Sequence, residues 1–231
     1  MCPICVGPSP NIWLGIAGGG RVKRLFGAAL RHTVAKVLLA LPDNLQRRLL
    51  RLRRFGLNFQ ISAAAMTAVV RRYPSGCNLL VFGVGRDSST WVFLNRGGRT
   101  VFVEDLEEWA ARAKGQQPSL EVVEVTYETT LASSLLYSSR TDIPTPTLPA
   151  SITSRTWDVV VVDGPRGYLP DHPGRSASIT LAHDLVAENG MVLIDDWNRP
   201  AEQRFTALVF GRPPEALLDS KGRMALFTGR R

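Results

Sequence analysis

Short continuous apolar runs alternate along this chain with longer stretches of helical spacing. The apolar runs fall at residues 78–83, 100–104, 120–125, 157–163, 190–195 and 223–228, and a further strand lies somewhere in 205–218. Such runs, bounded by turn residues, read as buried strands. Between them, residues 88–96, 106–114, 128–137, 175–188 and 199–206 carry helical spacing. A helix over 61–73, ended by Pro74-Ser75-Gly76, precedes the first strand. Strands that are apolar on both faces, alternating with helices, specify a doubly wound, mostly parallel α/β sheet of seven strands. Trp157-Asp158-Val159-Val160-Val161-Val162-Asp163, almost wholly β-branched, is a central strand. The stretch 139–156, with Pro144, Pro146 and Pro149 among Ser and Thr, is a loop long enough for a lid or an insertion.

The N-terminal third has a different character. Residues 1–20 are rich in Gly and Pro, residues 26–40 have helical spacing, and 43–54 form a second, strongly basic helix. The net charge of +8 is uneven, since residues 1–72 hold 12 Lys and Arg against the single acid Asp43. The division expected is a basic, partly helical extension over 1–60 and an α/β domain over 61–231. The basic segment suits peripheral contact with an anionic membrane surface or a solvated helix on the domain edge. Arginines without interleaved aromatics give little support for stacking on nucleic acid, so no nucleic-acid partner is expected. Arg21, Lys23, Arg24, Arg31 and Lys36 interrupt residues 11–42 before any span of ~20 apolar residues develops. This leaves a cytoplasmic or peripheral-membrane location as the expectation from the residues. Cys2 and Cys5 form a lone C-x-x-C without a second pair to complete a zinc site.

The candidate chemistry lies at the ends of the apolar runs. Phe82-Gly83-Val84-Gly85 turns into Arg86-Asp87-Ser88, where Asp87 or Ser88 can cap the next helix. Ser88 occupies the position of the third glycine of a dinucleotide fingerprint, which favours a nucleoside ligand without a pyrophosphate. S-adenosylmethionine (SAM) fits that description, while a tight turn without a ligand is the alternative. The second strand ends in Glu104-Asp105, and a carboxylate there can accept both hydroxyls of a ribose. On this reading Phe82, Gly83, Val84, Gly85, Asp87 and Ser88 border the methionine end of SAM, Glu104 holds the ribose, and Tyr127 borders the adenine. Asp163 adjoins both cofactor and acceptor.

Further acids and bases follow at neighbouring strand ends. Asp163, Asp195 and Asp196 could hold a divalent cation such as Mg²⁺, or Asp196 could cap a helix with Asp195 bonded to backbone. Asp163, Asp195 and His172 are the candidate bases. Arg166, Tyr168, Arg175 and Trp197 are the candidate acceptor-binding residues, with Arg175 suited to pair with a carboxylate.

Several stretches in one order also resemble a known family, the plant glucuronoxylan 4-O-methyltransferases and related irregular-xylem proteins. They are Cys77-Asn78-Leu79-Leu80-Val81-Phe82-Gly83-Val84-Gly85-Arg86-Asp87-Ser88 with Trp91, Leu94-Asn95-Arg96-Gly97-Gly98-Arg99-Thr100 running on to Glu104, and Tyr127-Glu128-Thr129. Trp157-Asp158 to Tyr168 with Pro173-Gly174-Arg175, and Gly222-Arg223-Met224-Ala225-Leu226-Phe227, complete the set. The resemblance implies a class I SAM-dependent methyltransferase fold, SAM as cofactor, and methyl transfer to a sugar hydroxyl, the 4-hydroxyl of glucuronic acid on xylan. It also implies an acidic saccharide acceptor and a Golgi address. A small-molecule acceptor and a non-catalytic role in polysaccharide assembly are the alternatives.

Overall fold

The computed structural model describes residues 61–218 and 223–229. The helices expected over 26–40 and 43–54, and Cys2 and Cys5, lie outside the described residues. The elements run α1 (Ala63–Arg72), β1 (Asn78–Phe82), α2 (Ser88–Leu94), β2 (Arg99–Glu104), α3 (Glu107–Gln116) and β3 (Glu121–Glu124). They continue with α4 (Leu131–Ser134), α5 (Ala150–Thr153), β4 (Trp157–Val162), α6 (Ser176–Leu185), β5 (Val186–Ile194), α7 (Pro200–Phe210), β6 (Ala216–Leu217) and β7 (Ala225–Thr228).

The seven strands form one sheet in the order β3-β2-β1-β4-β5-β7-β6. The first five are parallel, and β7 pairs antiparallel with both β5 and β6. This order and sense are those of the class I methyltransferase fold. Alternate residues of each central strand face opposite sides, as the strand period of two requires. Leu80, Phe82, Val160, Val162 and Ile194 pack with Ile179 of α6 and Phe205 of α7. Leu79, Val81, Val159, Val161 and Leu193 pack with Met66 of α1 and Trp91 of α2. Both faces are therefore buried, which is why these strands read as unbroken apolar runs.

Differences from the sequence reading have local causes. The helix expected over 128–137 shortens to the single turn of α4, with Thr130 and Ser133 forming a reciprocal cap. The helix expected to end at residue 206 runs on to Phe210, where Gly211 stops it in the left-handed conformation (φ 64°). The uncertain strand in 205–218 is thereby confined to Ala216–Leu217. The 139–156 stretch is no free lid, because Ile143, Leu148 and Ile152 are buried in the α6–α7 core. Among the described residues no helix is long and apolar enough to cross a membrane.

Candidate active site

The carboxyl ends of β1, β2, β4 and β5 meet in one cleft. At the end of β1, Gly83 has φ 103°, and a Cβ there would lie 3.0 Å from the Gly164 nitrogen. A Cβ on Gly164 would lie 2.8 Å from the Gly83 Cα, so two bare glycines let the turns after β1 and β4 touch. The amides of the β1 turn are already engaged. Gly83 N–H donates to the Val103 carbonyl (2.8 Å), Val84 N–H to Glu104 Oε2 (2.6 Å) and Gly85 N–H to Ser88 Oγ (3.0 Å). A phosphate seeks free N–H groups, so this turn suits a ligand that approaches by contact and carries no phosphate.

Asp87 and Ser88 do not cap α2 as expected. Asp87 stands at the N-cap position without a capping bond, because its buried carboxylate instead accepts from Ile61 N–H at 2.8 Å. The hydroxyl of Ser88 is drawn back to Gly85 N–H. Phe82 contributes only backbone to the cleft, since its side chain is fully buried in the core.

Glu104 is buried, and its two carboxylate oxygens take Val84 N–H and Leu106 N–H (3.0 Å). A carboxylate offers about four lone-pair sites, so after these two bonds and the one shared with Asp105 there is room for a ribose hydroxyl. Burial raises the Glu104 carboxyl above its ordinary range, with the two backbone bonds opposing that rise. Asp105, to which the sequence reading gave no role, shares a hydrogen bond with Glu104 and feels the charges of Arg166 and His172. Tyr127 lies near both acids, and burial followed by their charges drives its phenol well above the usual value. The structure thus brings Glu104, Asp105, Tyr127, Arg166 and His172 to one side of the cleft. His172 is buried rather than exposed. Its Nδ1 accepts Leu169 N–H at 3.3 Å, and its ring packs edge-on with Tyr168 at 4.2 Å. It lies close enough to Asp105 to act on that carboxyl.

On the other side, Asp163 keeps 31% of its side-chain surface open although the rest is enclosed by protein. Its carboxyl is pushed up to about 8, first by burial, then by Asp195 and Asp196 against the pull of Arg175. A hydrogen bond with Asp195 pushes the Asp163 carboxyl in the same direction. Asp195 is buried, and burial then Asp196 raise its carboxyl too.

Arg175 is not the open receptor expected for an acidic sugar. Only 5% exposed, it donates through Nη1 to the Asp195 carbonyl (2.6 Å) and through Nη2 to the Asp163 carbonyl (2.8 Å) and Asp196 Oδ2 (3.1 Å). Its Nε reaches the Pro165 carbonyl at 3.4 Å. This guanidinium fastens the ends of β4 and β5 together. The metal expectation is corrected in the same place. Asp196, at φ 56°, directs its carboxylate to Arg175, Arg199 (2.9 Å) and Arg223 (3.2 Å). Three arginines supply the positive charge that a cation would have brought. Among the described residues no group of three His, Cys, Asp or Glu is placed to hold a metal ion. Trp197 is half-buried, with its indole N–H given to Thr206 Oγ1 at 3.0 Å. Tyr168 and Arg166 are exposed on the loop after β4.

The sequence reading also missed Glu202, which is 1% exposed on α7 with Oε2 lacking any hydrogen-bond partner. Burial raises its carboxyl. Adjacency to Glu104 could have flagged Asp105, whereas a Glu in the first turn of a helix signals nothing beyond a favourable dipole contact.

A family described as IRX15/IRX15L/GXM matches residues 61–145 and 134–227. The chain belongs to this family. Within it, the chain is 34% identical to glucuronoxylan 4-O-methyltransferase 3 of Arabidopsis thaliana, over 67% of this chain and 58% of that one. It is 37% identical to glucuronoxylan 4-O-methyltransferase 1 (62% and 58%) and 32% identical to arabinogalactan O-methyltransferase 2 (64% and 59%), both of the same plant. The chain spans somewhat over half the length of these relatives. Among solved structures, a TehB-like SAM-dependent methyltransferase from Corynebacterium glutamicum is similar at 17% identity and a TM-score of 0.49, covering 81% of this chain and 97% of that one.

The stretches of this IRX15/IRX15L/GXM chain that carry the resemblance divide by end of the sheet. Cys77, Asn95 and Gly98 lie at the start of β1 and β2, away from the cleft. Asn95 accepts Cys77 N–H (2.8 Å) and donates to the carbonyls of Cys77 (3.0 Å) and Arg99 (3.1 Å) and to Thr100 Oγ1 (2.9 Å). A Cβ on Gly98 would fall 2.2 Å from the Cys77 carbonyl oxygen. The thiol of Cys77 is buried and pushed up to about 12 by burial and then Asp158, so it is inert at neutral pH. This half of the signature holds the fold, and the Gly83 and Asp163 halves form the cleft.

Proposed function

We propose that this chain is a SAM-dependent O-methyltransferase acting on a sugar hydroxyl, the 4-hydroxyl of a glucuronic acid on a xylan-like acceptor. The observation that carries the reading is the meeting of the glycine turn, with its amides engaged, and the partly open Asp163, its carboxyl raised, at one end of the sheet. Relatives named as glucuronoxylan and arabinogalactan O-methyltransferases support a saccharide acceptor.

SAM, when bound, supplies an electrophilic methyl on a sulfonium. Gly83 and Gly164 would border the methionine end, Glu104 the ribose, and Tyr127 the adenine. A hydroxyl placed between the sulfonium and Asp163 attacks in line. The C–O bond would form as the S–C bond breaks, with the hydroxyl proton passing to the ionised fraction of Asp163. With its carboxyl pushed up to about 8, Asp163 is a stronger base than an ordinary aspartate, and its ionised fraction grows as pH rises toward that value. Proximity and orientation contribute most of the acceleration. Arg175 keeps Asp163 in place, while Arg166 is the arginine exposed enough to meet a uronate.

The test is calorimetric titration of SAM and S-adenosylhomocysteine, followed by mass-spectrometric detection of methyl transfer to glucuronoxylan, with Gly85→Arg as control. Micromolar binding lost in the control, together with a methylated uronic acid, is the expected result. Folded protein that binds neither ligand would overturn the reading.

A further inference from the structure

Loop 164–175 is braced far more firmly than an ordinary surface connection. Its neck is closed by Gly174 N–H donating to the Arg166 carbonyl at 2.9 Å. Three donors from the segment after β3 grip it from one side. Thr129 Oγ1 donates to the Pro173 carbonyl (3.0 Å), Leu131 N–H to that of His172 (2.6 Å) and Ala132 N–H to that of Pro170 (3.0 Å). Yet the two segments so joined expose Tyr168 (61%), Leu169 (47%), Leu135 (44%) and Leu136 (80%). Among the described residues these are all but one of the large hydrophobics left in solvent. Apolar side chains held out on a rigid frame mark a binding surface.

We propose that this platform of Tyr168, Leu169, Leu135 and Leu136 carries the sugar units flanking the one that is methylated. The inference rests on the O-methyltransferase reading above. The loop begins one residue after Asp163, so the platform continues directly from the acceptor end of the cleft. Pyranose rings present apolar C–H faces that pack on aromatic and aliphatic side chains, and xylose, lacking the exocyclic hydroxymethyl group, presents the barest of them. Four side chains fall well short of the roughly 800 Å² that each partner brings to a stable protein interface, but they match two or three sugar rings. The bracing fixes the surface in advance, which lowers the entropy lost on binding a flexible chain. Exposed Arg166 on the same loop adds a cation for an acidic branch.

The test uses the full chain and undecorated xylohexaose, which carries no uronic acid to be methylated. Calorimetry should show binding to the wild type, weakened tenfold or more by Leu136→Ser and by Tyr168→Ala, with SAM affinity unchanged. In methyl-transfer assays Leu136→Ser should raise KM for a uronic-acid-bearing xylo-oligosaccharide and leave a simple methyl glucuronoside unaffected. A wild type that ignores xylohexaose, or variants that bind it as well as the wild type does, overturns the platform. Binding to anionic vesicles that Leu136→Ser abolishes, without xylohexaose binding, also overturns it, in favour of a lipid surface. Failure of SAM to bind while xylohexaose binding behaves as expected would sink the methyltransferase reading and leave the platform standing.

Discussion

Replacing Asn95 should damage stability and spare cofactor binding. Its side chain is 4% exposed and makes four hydrogen bonds at the start of β1 and β2, together with a fifth from the Cys77 thiol at 3.3 Å. In Asn95→Ala the buried Cys77 N–H loses its acceptor, which costs about 1–3 kcal/mol, and the bonds to Arg99 and Thr100 add about 0.5–1.5 kcal/mol each. The Cys77 carbonyl is spared because Arg99 N–H also reaches it at 3.0 Å. The sum, about 2–6 kcal/mol, is a large share of the 5–15 kcal/mol typical of a folded domain. Asn95→Asp keeps the acceptor for Cys77 N–H but turns a carboxylate oxygen toward two carbonyls. It should therefore be at least as destabilising as alanine at pH 7 and recover as the carboxyl protonates in acid. Urea denaturation gives both numbers. SAM titration of the remaining folded protein should match wild type, because β1 separates this site from the cleft by roughly 16 Å at ~3.3 Å per residue. An alanine variant within about 0.5 kcal/mol of wild type, the range of neutral surface changes, would refute the reasoning. So would a loss of SAM affinity per folded molecule.

Three further outcomes can be checked. Gly164→Ala places a methyl 2.8 Å from the Gly83 Cα and should prise apart the turns after β1 and β4, weakening SAM by tenfold or more in calorimetry. Because the folded-state carboxyl of Asp163 lies at about 8, above its unfolded value of about 3.9, its contribution is fully present below that lower value and lost as pH rises through about 8. Stability measured in urea should accordingly fall across that window, and Asp163→Asn should flatten the slope while abolishing methyl transfer. Glu202, buried with an unpaired oxygen and its carboxyl raised, behaves in the same sense. Glu202→Gln should gain stability over wild type as pH rises from 5 to 8, and an equal difference at both ends would show that the acid is ionised throughout.

The sheet was legible because its central strands are buried on both faces, so β1 and β4 carry uninterrupted apolar residues that little else explains. The end of α7 was harder to read. Its stop depends on Gly211 in a left-handed turn, and apolar Ala207, Leu208, Val209 and Phe210 read equally well as strand. Strand ends were enough to bring Glu104, Asp163 and Asp195 to the same edge of the sheet, since topology alone places strand ends there. What each group does once there depends on partners distant in sequence. Arg175 looked like a carboxylate receptor until the carbonyls of Asp163 and Asp195 were found on its guanidinium. Asp196 looked like a metal ligand until Arg199 and Arg223 closed on it. Asp87 had the position of a cap, but Ile61 N–H, 26 residues away, holds its carboxylate.

The neck of loop 164–175 makes its tip an exchangeable cassette. The bonds that secure residues 170–174, from Thr129, Leu131, Ala132 and between Gly174 and Arg166, all end on main-chain carbonyls. Apart from His172, whose Nδ1 takes Leu169 N–H, side chains at the tip can therefore vary without loosening the frame, provided that the backbone path is kept and Gly174 retains its positive φ of 71°. Beneath it, Arg175 locks the strand ends independently of what the tip displays. On the proposed function, drift in acceptor preference is thereby uncoupled from the integrity of the strand ends beneath, and one scaffold can diversify toward different acceptors by changing a handful of residues.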